Sequence, residues 1–117
     1  MLHLNATTRY YFYTKIIDMR KGCYGLCGIV TNELKKDILS GDVFVFINKR
    51  NNQLRLLQWE RDGFILFEKR LAKGCFERPD NVSNGSAILL SNLQLHLIIQ
   101  GVLLQSVKHK KRFSFSA

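Results

Sequence analysis

The chain has 117 residues, 46% of them apolar, with 18 Lys and Arg against 9 Asp and Glu, for a formal charge of +9. That is one domain's length, apolar enough for a core without disulfides or metal. No apolar run approaches the roughly 20 residues of a membrane span. The opening "MLHLNATTRYYFYTK" lacks the basic start and apolar stretch of a secretory signal, so a cytoplasmic protein without a membrane partner is expected.

Residues 1–8 read as a flexible arm, 9–103 as a single α+β domain and 104–117 as a basic, flexible tail. "RYYFYTKII" (Arg9 to Ile17) is aromatic and β-branched, which predicts a strand. In "DMRKGCYGLCGIVTNELKK", Asp18 is placed to cap a helix. Cys23, Leu26, Cys27, Val30 and Leu34 recur at three- and four-residue spacing as its buried stripe. Lys35 and Lys36 then sit at the end where cations suit the helix dipole. Gly22, Gly25 and Gly28 oppose a helix at about 1 kcal/mol each. Their spacing suggests close approach of the helix to a sheet.

"DVFVFIN" (Asp42 to Asn48) is apolar on both faces, the pattern of a central strand covered on both sides. "KRNN" is a hairpin loop, "QLRLLQWE" the next strand, "RDG" a turn and "FILFEKRL" a third strand. The Asp62-Gly63 dipeptide is a strong short-range hairpin signal. "RPDNVSNGS" reads as a loop and "AILL" as a short last strand. Ser91 opens a second helix with Gln94 three residues on, a capping box. Leu95, Ile98, Ile99 and Val102 form its apolar stripe, and Gly101 is placed to end it. The order β-α-β-β-β-(β)-α predicts an antiparallel sheet with a central three-stranded meander and two helices packed on it.

Residues 81–117 hold four bases and no acid, all four bases within "KHKKR". The first 80 residues hold 14 bases and 9 acids. The excess favours an acidic partner, nucleic acid being the commonest. The tail reads either as a solubilising end or as a phosphate-contacting one.

Little in the chain points to catalysis. His3, His96 and His109 neighbour no nucleophile motif, and there is no Walker loop, G-x-S-x-G or H-E-x-x-H. Asp18, Asp42, Asp62 and Asp80 occupy element edges, where carboxylates can hold metal for phosphoryl transfer but where caps and turns also want Asp. Cys23, Cys27 and Cys75 with a His could number four zinc ligands. Without a C-x-x-C pair, buried free thiols fit better, and no cofactor is expected.

The candidate nucleic-acid contacts are the bases. Arg20 and Lys21 fall at the start of the first helix, where free N–H groups favour an anion. Lys49, Arg50, Arg55, Arg61, Lys69, Arg70 and Lys73 cluster at loops and strand edges and could form one rim. Lys108, Lys110, Lys111 and Arg112 belong to the tail. Strand alternation puts Trp59, Leu57 and Arg55 on one face and Leu54 and Leu56 on the other. The hairpin aromatics therefore read as sheet packing before they read as a stacking platform for bases.

"DMRKG", then "GL", then "SGDVFVFINKRNNQLRLLQW", then "DGFILFEKRLAKGCFERP" together resemble the small accessory protein of the insertion-sequence-66 family of bacterial transposons. The resemblance spans roughly Tyr13 to Pro79, with a weaker "L…LS.LQL.L.I.G" ending at Gly101. Cys23 and Tyr24 stand where the family usually has an aromatic and an acid. It implies a non-catalytic protein encoded beside a separate transposase, with element DNA and that transposase as expected partners. It implies no catalytic residues.

Overall fold

In the computed structural model, which describes residues 6–80 and 85–101, five strands form one sheet in the order β4-β3-β2-β1-β5. The elements are β1 (Tyr10–Tyr13), α1 (Cys23–Asn32), β2 (Val43–Ile47), β3 (Gln53–Glu60), β4 (Gly63–Arg70), β5 (Ala87–Leu90) and α2 (Asn92–Ile99). The meander β2-β3-β4 is antiparallel as its short turns require, and β5 is antiparallel to β1. The sheet is nevertheless mixed, because β1 and β2 are parallel. Parallel neighbours cannot be joined by a tight turn, and α1 lies in the crossover between them. Among the described residues no helix is long and apolar enough to cross a membrane.

The two helices cover opposite faces. Leu26, Ile29 and Val30 of α1 pack with Tyr11, Tyr13, Phe44, Phe46 and Leu57. Leu95 and Ile98 of α2 pack with Phe12, Val43, Val45, Ile47, Leu54 and Leu56. Val43 to Ile47 are wholly buried on both faces, and the four residues of β1 are buried too. Each such apolar side chain contributes about 1.5–3 kcal/mol of transfer free energy.

Local chemistry departs from expectation at several points. β1 is shorter than Arg9 to Ile17, since only Tyr10–Tyr13 lie between two strand neighbours. Asp18 does not cap α1; it accepts the Arg20 N–H at 2.9 Å, and α1 begins after Gly22 without a side-chain cap. Lys35 and Lys36 fall beyond the last turn of α1; the Lys36 N–H donates to the Val30 carbonyl at 3.1 Å, and its ammonium sits 4.4 Å over the Tyr11 ring. The β3–β4 turn residues are Arg61 and Asp62, with the positive φ (58°) on Arg61, while Gly63 starts β4. The capping box forms as expected: Gln94 N–H donates to Ser91 Oγ at 3.1 Å, and Ser91 N–H donates to Gln94 Oε1 at 2.9 Å. Gly101 follows α2 at φ 75°. Val102 and the tail bases Lys108, Lys110, Lys111 and Arg112 lie outside the described residues.

The helix glycines do not mediate close approach to the sheet. A Cβ on Gly25 would meet the Lys21 side chain at 3.1 Å, and one on Gly28 would have Asn32 Nδ2 as its nearest neighbour at 4.0 Å. Gly28 is therefore a helix-interior glycine without a packing reason. Gly28→Ala should raise stability by roughly 0.5–1 kcal/mol, read as a higher urea midpoint at unchanged slope. A lower midpoint would mean that the helix face at Gly28 has no room for a methyl group.

Candidate nucleic-acid interface

β2 ends in "INKRNN", and the side chain of Asn48 organises the turn that follows. Asn48 is buried; its Oδ1 accepts the N–H groups of Asn52 and Gln53, each at 3.0 Å, and its Nδ2 donates to Asn52 Oδ1 at 2.8 Å. Asn51 takes the left-handed conformation (φ 58°), which Asn tolerates better than most residues. Arg78 arrives from beyond β4 and closes the turn from beneath. Its guanidinium donates to Asn51 Oδ1 (2.8 Å), to the Ile47 carbonyl (2.8 Å) and to the Asn48 carbonyl (3.1 Å), and it lies 5.6 Å from the Phe12 ring centre. Burial pushes its pKa down. Nothing local to Arg78 in sequence announces this role, because its partners are about thirty residues earlier.

Arg78 Nη1 is buried without a hydrogen-bond partner among the described residues, while Lys49 and Arg50 project outward, both exposed. Arg70, at the end of β4, shares with them a shallow groove of about 340 Å³ whose wall includes Asp18 and Gln53. The loop carrying Lys73 passes alongside, because the Cys75 thiol donates to the Arg50 carbonyl and Phe76 N–H donates to the Asn51 carbonyl. Lys49, Arg50, Arg70 and Lys73 pair with no carboxylate among the described residues.

The "DMRKG" loop is the opposite wall, and Arg55 fixes it. From β3 its guanidinium donates to the Met19 carbonyl (2.8 Å) and the Lys21 carbonyl (2.6 Å), with a longer contact to Glu68 (3.4 Å). Arg55 is thus engaged inside the fold, its side chain only 12% exposed. Arg20 folds back on Asp18, with contacts of 2.7 to 3.1 Å from Nη2 and Nε. The hydrogen bonds from Arg20 hold the Asp18 carboxyl down at about 2. Lys21 lays its aliphatic stem against Gly25 of α1.

The expected rim does not close. Lys69 is on the α2 face and donates to the Ile99 carbonyl at 2.7 Å, across the sheet from Arg55. Arg61 is at the β3–β4 turn, the far end of an eight-residue strand and so about 25 Å from Arg70. A surface shared by Arg20, Lys21, Arg55 and Lys69 does not exist. The aromatics build the sheet: Trp59 and Phe64 are cross-strand partners in an edge-to-face pair at 5.0 Å. The three cysteines are free thiols, and burial, then Cys23, pushes the Cys27 thiol up to about 11. Among the described residues no three His, Cys, Asp or Glu gather closely enough to hold a metal ion.

The family described as IS66 Orf2 like protein matches residues 8–109. The chain is 37% identical over 97 residues to the uncharacterized protein y4jC of Sinorhizobium fredii, covering 83% of this chain and 81% of that protein. It is 33% identical over 102 residues to the uncharacterized protein y4hO of the same organism, covering 87% of each. No solved structure matches.

The Asp18–Arg20 contact predicts a pH response. A carboxyl depressed in the folded state stabilises above its ordinary 3.8 and loses that contribution as pH falls through about 2. Carboxyl NMR should therefore place the Asp18 midpoint at about 2, and Arg20→Ala should return it towards 3.8. Equal midpoints in the two proteins would contradict the clamp.

Proposed function

The chain belongs to the IS66 Orf2-like family of transposition-associated proteins, and from that premise we propose that it is a non-catalytic accessory factor that binds DNA at the β2–β3 end of its sheet. The reading is carried by Lys49, Arg50 and Arg70, unpaired with any described carboxylate, converging on one groove beside an internally braced turn. Ammonium and guanidinium groups in an open, shallow groove suit phosphate oxygens. Such contacts position a protein on a duplex without reading its sequence. Lys73, on the loop tied to Arg50 and Asn51, and Lys21 are proposed as further contacts, and the element's own DNA is the proposed ligand. Arg55, Lys69 and Arg78 support it by holding the fold. The tail bases Lys108, Lys110, Lys111 and Arg112 are proposed as further phosphate contacts.

The alternative is an adaptor that docks on the separate transposase without touching DNA. Leu89 and Leu93, 61% and 66% exposed near the start of α2, favour it. Fluorescence anisotropy with duplex DNA across a salt series decides between the two. DNA binding predicts affinity that falls with salt by roughly 0.9 log units per log unit for each phosphate contacted. Lys49→Ala with Arg50→Ala should flatten that slope by about 2. Absence of binding at low salt would overturn the DNA reading, and co-purification with the transposase after nuclease treatment would then support the adaptor.

A further inference from the structure

Among the described residues β4 is an edge of the sheet, with β3 as its one strand neighbour. Alternate residues of an edge strand point their N–H and C=O groups away from the sheet, which makes a template for another strand. Proteins usually blunt such edges with Pro, short length or charge. β4 runs for eight residues without Pro; Phe64-Ile65-Leu66-Phe67 make up its apolar part, and its charges, Glu68-Lys69-Arg70, gather at one end. Leu66 and Phe67 are 41% and 37% exposed. The opposite edge, β5, has only four residues.

We propose that β4 pairs antiparallel with β4 of a second copy of this chain, about a two-fold axis at Leu66. In that register Leu66 faces Leu66 and Ile65 faces Phe67, so the exposed apolar side chains cover one another. Asp62 faces Arg70 at both ends, giving two symmetric opposite-charge pairs. The Leu66 axis leaves Glu68 opposite Phe64 and Lys69 opposite Gly63 but sets no like charges together. Neighbouring registers lack this complementarity. An axis at Ile65 sets Asp62 against Glu68, one at Glu68 sets Glu68 against itself, and one at Phe67 sets Arg70 against Phe64 and Lys69 against Ile65 with no opposite-charge pair. The axis at Leu66 also keeps α1 on the same face in both copies, since paired residues share a face. It carries Arg61 of the second copy opposite Leu71, next to Arg70. In the dimer Asp62 of the second copy engages Arg70, and Lys49 and Arg50 remain the free cations of the groove; the pairing rests on the strand edge, not on the proposed DNA binding.

Sedimentation equilibrium of the full chain, free of nucleic acid, tests it. The expected result is a dimer. Asp62→Arg and Arg70→Asp should each weaken dimerisation by about tenfold, because each turns two cross-strand attractions into repulsions. The double variant D62R/R70D should recover it, because the swapped charges again face each other. Leu66→Lys, with unchanged circular dichroism, should give monomer. A wild-type monomer at high micromolar concentration would overturn the proposal. So would a dimer indifferent to these single changes, or a double variant that stays as weak as its parents.

Discussion

Val43 to Ile47 carry no polar side chain on either face, and water must be kept from both. That constraint organises the rest of the molecule. A strand apolar on both faces needs two strand neighbours and a layer above and below. The meander supplies one neighbour, β3; the other is β1, which reaches β2 only through a crossover. The crossover contains α1, which covers one face, and α2 covers the other. The parallel β1–β2 pair is thus the consequence of burying β2.

Where the apolar run stops, polar groups take over. The chain leaves the core at Asn48, whose backbone carbonyl and that of Ile47 would be poorly solvated beneath the turn. Arg78 donates to both, the Asn48 carbonyl also accepting the Asn51 N–H at 3.1 Å, and hydrogen bonds from a charged donor are worth about 1.5–3 kcal/mol. Arg55 acts in the same way on the Met19 and Lys21 carbonyls. Two arginines thus join three of the stretches that carry the family resemblance: "DMRKG" to the hairpin through Arg55, and "INKRNN" to "FERP" through Arg78. Because these arginines are occupied, the exposed charge at this end comes from other residues, Lys49, Arg50 and Arg70 among them.

What could be read from the sequence was whatever depends on near neighbours. The burial of β2, the meander, the Ser91 capping box and the stripe of α1 follow from periodicities of two and of three to four residues. The partnership of β1 did not follow, because a parallel neighbour is chosen through thirty residues of crossover. For the bases, composition told which residues carry charge but not where each guanidinium points. Arg55 and Lys69 looked alike as fringe cations; alternation puts them on opposite faces, and each then bonds backbone carbonyls about thirty residues away. A buried arginine bound to carbonyls leaves no local pattern, so nothing in the sequence marks Arg78. Asp18 stands where a helix cap is expected, but Arg20, two residues on, is its partner.

The functional reading needs Lys49 and Arg50 to be held in place, since a turn ordered only on binding would lose affinity to that ordering. Amide hydrogen exchange at Asn52 and Gln53 measures this most directly. Both amides donate to Asn48 Oδ1 inside the turn, so they should exchange far more slowly than open-loop amides, and Asn48→Ala should abolish that protection. Exchange at loop rates in the wild-type chain would contradict the account, because it would mean that the turn presenting these cations is not braced from within.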